Sequence, residues 1–188
     1  TGNSNVAGKD GWWSDLIGDG KCIDTEKYTI LSFNIPGNGF DGFVIDNYKD
    51  FVAADIARIF LWGLEQLNIE KLFVIIGGSL GGGIAWEMAA LNPNITEHLI
   101  PVASDWKSTD WLIANCQIQE QFLVNSKQPV HDARMHAMLC YRTPESFKER
   151  IKRSTNEELQ VFNVESWLMH HGKKLQERFQ LSAYKLMN

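Results

Sequence analysis

The chain has 188 residues, 44% hydrophobic and 22% charged, with 18 basic and 23 acidic side chains giving a net charge of −5. That is the balance of a globular domain; it excludes a disordered chain and a surface that draws in nucleic acid or anionic membrane. No apolar run approaches the ~20 residues of a membrane span, and three widely spaced cysteines (Cys22, Cys116, Cys140) without a C-x-x-C pattern fit a reducing cytoplasm better than a disulfide framework.

Residues 1–27 are punctuated by Gly2, Gly8, Gly11, Gly18 and Gly20 and read as loop. Tyr28 to Phe33 is β-rich and ends at Asn34-Ile35-Pro36-Gly37, a strand running into a turn. From Tyr48 to Leu67 the apolar residues Phe51, Val52, Ile56, Ile59, Phe60, Leu64 and Leu67 recur at helical spacing. Leu72 to Ile76 is a continuous apolar run too short for a helix, and it is expected to be a central parallel strand buried on both faces. A helix from Gly82 to Leu91, stopped by Pro93, and a third strand from His98 to Ala103 follow. Alternating strands and helices of this kind predict a parallel sheet with crossover helices, an α/β fold. Beyond Asp105 the pattern is helical throughout: Ser108–Leu123, Val130–Tyr141, Pro144–Arg153 and Val164–Met187, with no strand expected between them. The division expected is a partial α/β core over 1–105 and an inserted helical cap over 106–188.

Gly77-Gly78-Ser79-Leu80-Gly81 matches G-x-S-x-G between an apolar strand and a helix, the context in which that motif forms a nucleophile elbow. A serine at so tight a turn lifts its hydroxyl above the sheet edge on a strained backbone. The backbone N–H of Leu80 then faces a developing oxyanion, and the helix N-terminus adds partial positive charge. One donor of this type supplies ~3 kcal/mol of transition-state stabilisation. The same glycine run lacks the Gly-Lys-[Ser/Thr] ending of a P-loop. Gly37 to Gly42 satisfies G-x-G-x-x-G, but Pro36 precedes it and no helix opens at Gly42, so it reads as a loop that fits a pattern.

Further residues extend the elbow into a family likeness. Thr1-Gly2-Asn3-Ser4, Gly11-Trp12-Trp13, Leu16 to Lys21, the elbow with Gly82, Ala133-Arg134-Met135 with Tyr141-Arg142, and Val164 to Trp167 with Gly172 follow one another in the order of the homoserine O-acetyltransferase family, which the chain resembles across nearly its whole length. The loop between Pro36 and Tyr48 is shorter than the family's. The resemblance implies an α/β-hydrolase fold with a helical cap, and transfer of an acetyl or succinyl group from acetyl-CoA or succinyl-CoA to the homoserine hydroxyl, in methionine biosynthesis. Ser79 would be acylated first, in a ping-pong course. Arg134 and Tyr141 would line the substrate tunnel, with Arg134 pairing the homoserine carboxylate. A second oxyanion donor would come from the Thr1-Gly2 segment. The implied partners are these small molecules, with no permanently bound cofactor and no metal; a homodimer through the cap helices is left open.

The family's acid and histidine follow the cap, so they are expected beyond residue 188, and the chain reads as a fragment truncated at both ends, with little activity alone. The five histidines, His98, His131, His136, His170 and His171, read as surface or cap residues. Asp132 and His136 stand four apart but make a poor metal pair, and Asp105 reads as a helix cap or chain turn. Trp12, Trp13, Trp106, Trp111 and Trp167 are weighed as tunnel lining against core packing, with packing favoured. Two other functions stay open: an esterase with water as acceptor, and a non-catalytic module.

Overall fold

The computed structural model describes residues 3–188, which fall into two compact units, one ending at Lys107 and the other spanning Ser108–Leu186. The expectation for Thr1-Gly2 lies outside the described residues.

The first unit opens with loops that contain a two-residue parallel ladder, β1 (Ile17–Gly18) with β2 (Ile23–Asp24). Its centre is β3 (Leu72–Gly78) paired in parallel with β4 (Thr96–Val102), in register from Leu72↔Thr96 to Gly78↔Val102. Helix α1 (Ala53–Gln66) packs on α2 (Leu80–Leu91), and α2 packs on both strands. Ile56, Ala57 and Leu64 from α1, Ile84 and Met88 from α2, and Ile95 form the buried core. These residues fall at helical spacing, so one face of each helix is apolar.

Several sequence expectations need correction here. Helix α1 begins at Ala53, because Tyr48–Asp50 is a 3-10 turn and the Asp55 carboxylate accepts from the Val52 N–H at 3.0 Å, fixing the start. The segment Tyr28–Phe33 joins no ladder among the described residues. Side-chain packing holds it instead: Tyr28 stacks on Phe73 (5.3 Å) and Phe33 on Phe60 (4.8 Å). Phe33 also lies over Gly63, where a Cβ would come within 3.0 Å of its ring, which accounts for a glycine inside α1. Nor is β3 buried on both faces, since Phe73 is exposed, as are Ile100 and Val102 of β4.

In the second unit, α4 (Pro129–Cys140) packs against α3 (Asp110–Asn125) and α6 (Asn163–Gln176); α5 (Pro144–Ile151) and α7 (Leu181–Met187) complete the helices. Thr109 caps α3 and Thr143 caps α5, each hydroxyl accepting a backbone N–H at 3.2 Å. Leu123, Val130, Ala133, Leu175 and Tyr184 form the core. Two expectations fail. A short antiparallel hairpin, β5 (Thr155–Asn156) with β6 (Val161–Phe162), stands between two expected helices, where no strand was expected. The single helix over Val164–Met187 is two, because the chain leaves helical geometry after Glu177 and restarts from the extended Gln180. No helix is long and apolar enough to cross a membrane among the described residues.

Candidate active site

The turn from β3 into α2 has φ 53° and ψ −121° at Ser79. A positive φ at a residue with a Cβ costs roughly 1–3 kcal/mol and persists only where the surroundings enforce it. Here they do. The Ser79 N–H donates to the Val102 carbonyl at 2.9 Å, tying the turn to the end of β4. The Ser79 carbonyl accepts from the Gly82 and Gly83 amides at 2.9 and 3.2 Å, starting the helix at once. Two glycines make the geometry possible. A Cβ on Gly77 would stand 2.1 Å from the Gly81 carbonyl oxygen, and one on Gly82 would stand 2.5 Å from the Ser104 Cβ. Glycine is therefore a steric requirement at 77 and 82, whereas at Gly81 nothing lies within 4 Å of an added Cβ.

Ser79 is exposed, and its side chain makes no capping hydrogen bond. Leu80 is the first residue of α2, and among the described residues neither its N–H nor that of Gly81 has a backbone acceptor. Helix starts leave such amides free, with the dipole's positive end beside them. A nucleophilic hydroxyl beside free amide donors suits attack on a carbonyl and stabilisation of the resulting oxyanion. Ala103, just after β4, also has a positive φ of 50°. Both strained residues thus follow the carboxyl ends of paired parallel strands, where ligands bind in open α/β sheets. The third strand was expected from His98 to Ala103, whereas β4 spans Thr96–Val102, which leaves Ala103 and Ser104 in the turn beside the elbow, a role the sequence did not assign them. Trp13 also reaches this turn, its ring 3.7 Å from where a Cβ on Gly78 would be. The loop that carries Trp13 is pinned by Ser4 N–H donating to Asn34 Oδ1 (2.9 Å) and Trp12 Nε1 donating to the Asn3 carbonyl (2.9 Å).

In the helical unit Arg134 and Tyr141 come together: the guanidinium lies 5.5 Å from the phenol ring centre. A second such pair was missed, Arg142 at 5.3 Å over Trp167, with His171 edge-on to the same indole at 4.7 Å. Burial, and then the positive charges of Arg134, His170, Lys174 and Arg142, hold the His171 pKa below its ordinary value. A buried relay lies nearby: the Tyr184 hydroxyl donates to Gln119 Oε1 (3.2 Å), and Gln119 Nε2 meets His136 Nδ1 (2.9 Å). Burial, reinforced by Tyr141 and offset by Arg134, pushes the Tyr184 pKa up to about 12.

Asp132 and His136 are not brought together. Asp132 bonds His131 Nδ1 at 2.7 Å and the Ser126 hydroxyl, while His136 belongs to the relay. Burial raises the Asp132 pKa, but those two partners outweigh it and the net shift is downward. Asp105 is exposed and caps nothing, because Thr109 takes that role. The tryptophans also depart from expectation: Trp12, Trp106 and Trp111 are exposed rather than packed in a core. The carboxylates of Asp19, Asp24 and Glu26 lie within 4.8 Å of one another. Asp24 is already occupied by the Gly20 and Glu26 amides and Lys27, so it serves the turn.

The chain resembles known proteins in sequence and in fold. A family model for the alpha/beta hydrolase fold matches residues 2–121. Curated relatives include homoserine O-acetyltransferases of Chloroherpeton thalassium, 34% identical over 95% of this chain and 54% of its own length, and of Trichormus variabilis, 30% identical over 95% and 57%. The crystal structure of homoserine O-acetyltransferase from Staphylococcus aureus superposes with a TM-score of 0.82 at 28% identity, covering all of this chain and 57% of that one. An esterase structure superposes equally, at 0.82, but at 23% identity it speaks for the fold alone. The chain spans about half the length of the curated relatives it matches. With a sharp strand-to-helix turn at G-x-S-x-G, a parallel strand pair and a family model covering most of its length, the chain belongs to the α/β-hydrolase fold family.

Proposed function

We propose that Ser79 is the nucleophile of an acyltransferase that moves an acetyl or succinyl group from acyl-CoA to the hydroxyl of homoserine, a step of methionine biosynthesis in the cytoplasm. Its Oγ attacks the thioester carbonyl as a general base takes its proton, and the Leu80 amide donates to the oxyanion. The C–S bond breaks, and coenzyme A leaves as the thiol with that proton. The homoserine hydroxyl then attacks the Ser79 ester, and Ser79 regains its proton as O-acyl-homoserine departs. The helical unit acts as the cap, in which Arg134 pairs with the homoserine carboxylate and Tyr141 supports that guanidinium.

The observation that carries this reading is the exposed Ser79 at φ 53° on a strand-to-helix turn with free amides after it. The names of the relatives supply the acceptor, homoserine, and the acetyl group; the coenzyme A donor follows from the family resemblance. Consumption of acetyl-CoA by the intact protein, with and without homoserine, tests it. Turnover that depends on homoserine and vanishes in Ser79→Ala supports transfer; equal turnover without homoserine makes the protein a hydrolase.

A further inference from the structure

The helical unit holds an open cleft of about 550 Å³ between the end of α5, the β5–β6 hairpin and the first turns of α6. That volume lies in the range of small-molecule sites. No carboxylate lines it; Arg150 and His170 supply basic groups, Ser154 and Asn156 hydrogen-bonding groups, and Trp167 an aromatic surface. Residues 148–153 set Lys148, Arg150, Lys152 and Arg153 against Glu149 alone, in a chain whose net charge is −5. Lys152 and Arg153 both have positive φ, 53° and 52°. They stand between the lining residues Ile151 and Ser154, and strained backbone of this kind clusters at ligand clamps; the Arg153 guanidinium itself lies 5.5 Å over the Phe162 ring.

The hydrogen bonds of the cleft wall leave donors over. Asn156 Oδ1 accepts from the Leu159 N–H at 2.9 Å, so its amide NH2 remains, and among the described residues the Arg150 guanidinium has no acceptor. The wall itself is braced: Ser154 Oγ donates to the Ile151 carbonyl (2.6 Å) and accepts from Asn163 Nδ2 (2.7 Å). An unspent guanidinium and a neutral amide beside an indole match a ligand that combines phosphate with a flat ring.

We infer that this cleft binds the phosphorylated adenosine end of the acyl-CoA donor, with Arg150 on a phosphate and Trp167 against the base. The assignment of that particular nucleotide rests on the acyltransfer reading above; the anion-and-ring chemistry of the cleft does not.

The test is calorimetric titration of the intact protein with adenosine 3′,5′-bisphosphate, inorganic phosphate and adenosine, on wild type, Arg150→Ala and Arg150→Lys. The bisphosphate is expected to bind at least ~10-fold more tightly than either fragment. Arg150→Ala is expected to weaken it ~10-fold or more, with partial recovery in Arg150→Lys. In parallel, the KM for acetyl-CoA rises in Arg150→Ala, whereas the KM for S-acetylpantetheine, which lacks the nucleotide, stays in place. Absence of bisphosphate binding, equal affinity in Arg150→Ala, or inorganic phosphate binding as tightly as the bisphosphate overturns the inference. Homoserine acetylation that proceeds with an unmoved acetyl-CoA KM sinks the cleft and spares the acyltransferase. Arg150-dependent bisphosphate binding without any acyl transfer does the reverse.

Discussion

Ser79 holds a backbone conformation that no side chain favours, and the Val102 carbonyl together with the Gly82 and Gly83 amides keeps it there. Relief of that strain is measurable. Ser79→Gly removes the Cβ that makes φ 53° costly, so it is expected to melt higher than Ser79→Ala, by about 1 kcal/mol in chemical denaturation, while neither variant forms an acyl-enzyme. Equal stability of the two variants speaks against a strained elbow. Tyr184 offers a second test. Burial raises its pKa from the ordinary tyrosine value to about 12, so the folded protein holds the proton over a range where the unfolded chain releases it. Stability from this group is complete below pH 10 and falls as pH rises from about 10 to about 12, at up to ~1.4 kcal/mol per pH unit. Urea midpoints at pH 9 and pH 11 are expected to drop further for wild type than for Tyr184→Phe. His171 runs in the opposite sense: its pKa is lowered, so its contribution is present above the ordinary histidine range and is lost on acidification.

The strand–turn–helix unit depends on glycines that are not equivalent. Gly77→Ala drives a methyl into the Gly81 carbonyl and is expected to cost about 3 kcal/mol or more, or to prevent folding. Gly81→Ala meets open space inside a helix and is expected to be neutral or stabilising by up to about 1 kcal/mol. Thermal melts of the two variants separate these outcomes, and similar losses in both contradict the geometry. This unit was legible in the sequence because its signals are local: an apolar run, a glycine cluster and a resumed helical period. The elements misread lacked such local signals or were decided by distant partners. Tyr28–Phe33 has strand composition, yet its rings stack on Phe73 and Phe60 and no neighbouring strand completes a ladder among the described residues. The hairpin at Thr155–Phe162 has only two residues per strand, too few to show an alternating pattern. The break after Gln176 lacks glycine or proline, the punctuation that pattern reading relies on.

At the scale of the whole molecule, the α/β unit carries the elbow and the helical unit carries Arg134 and Tyr141. Seven residues apart, Arg134 on α4 and Tyr141 just after it share a face, and the guanidinium lies 5.5 Å from the ring centre. The Arg142–Trp167 pair and the Tyr184–Gln119–His136 relay were not legible, because each joins separate segments that share no period, and the cleft was not, because it forms around a hairpin too short to show in the sequence. If Arg134 pairs with the acceptor carboxylate, Arg134→Ala is expected to raise the homoserine KM by ~10-fold or more, while the acetyl-CoA KM moves little. Acylation by acetyl-CoA alone bears on the nucleophile itself. The intact protein is incubated with acetyl-CoA and no homoserine, quenched in acid, digested and read by mass spectrometry. One acetyl group is expected on the peptide that carries Ser79, absent in Ser79→Ala and discharged when homoserine is added before the quench. An unmodified Ser79 peptide in a preparation that acetylates homoserine would contradict the account.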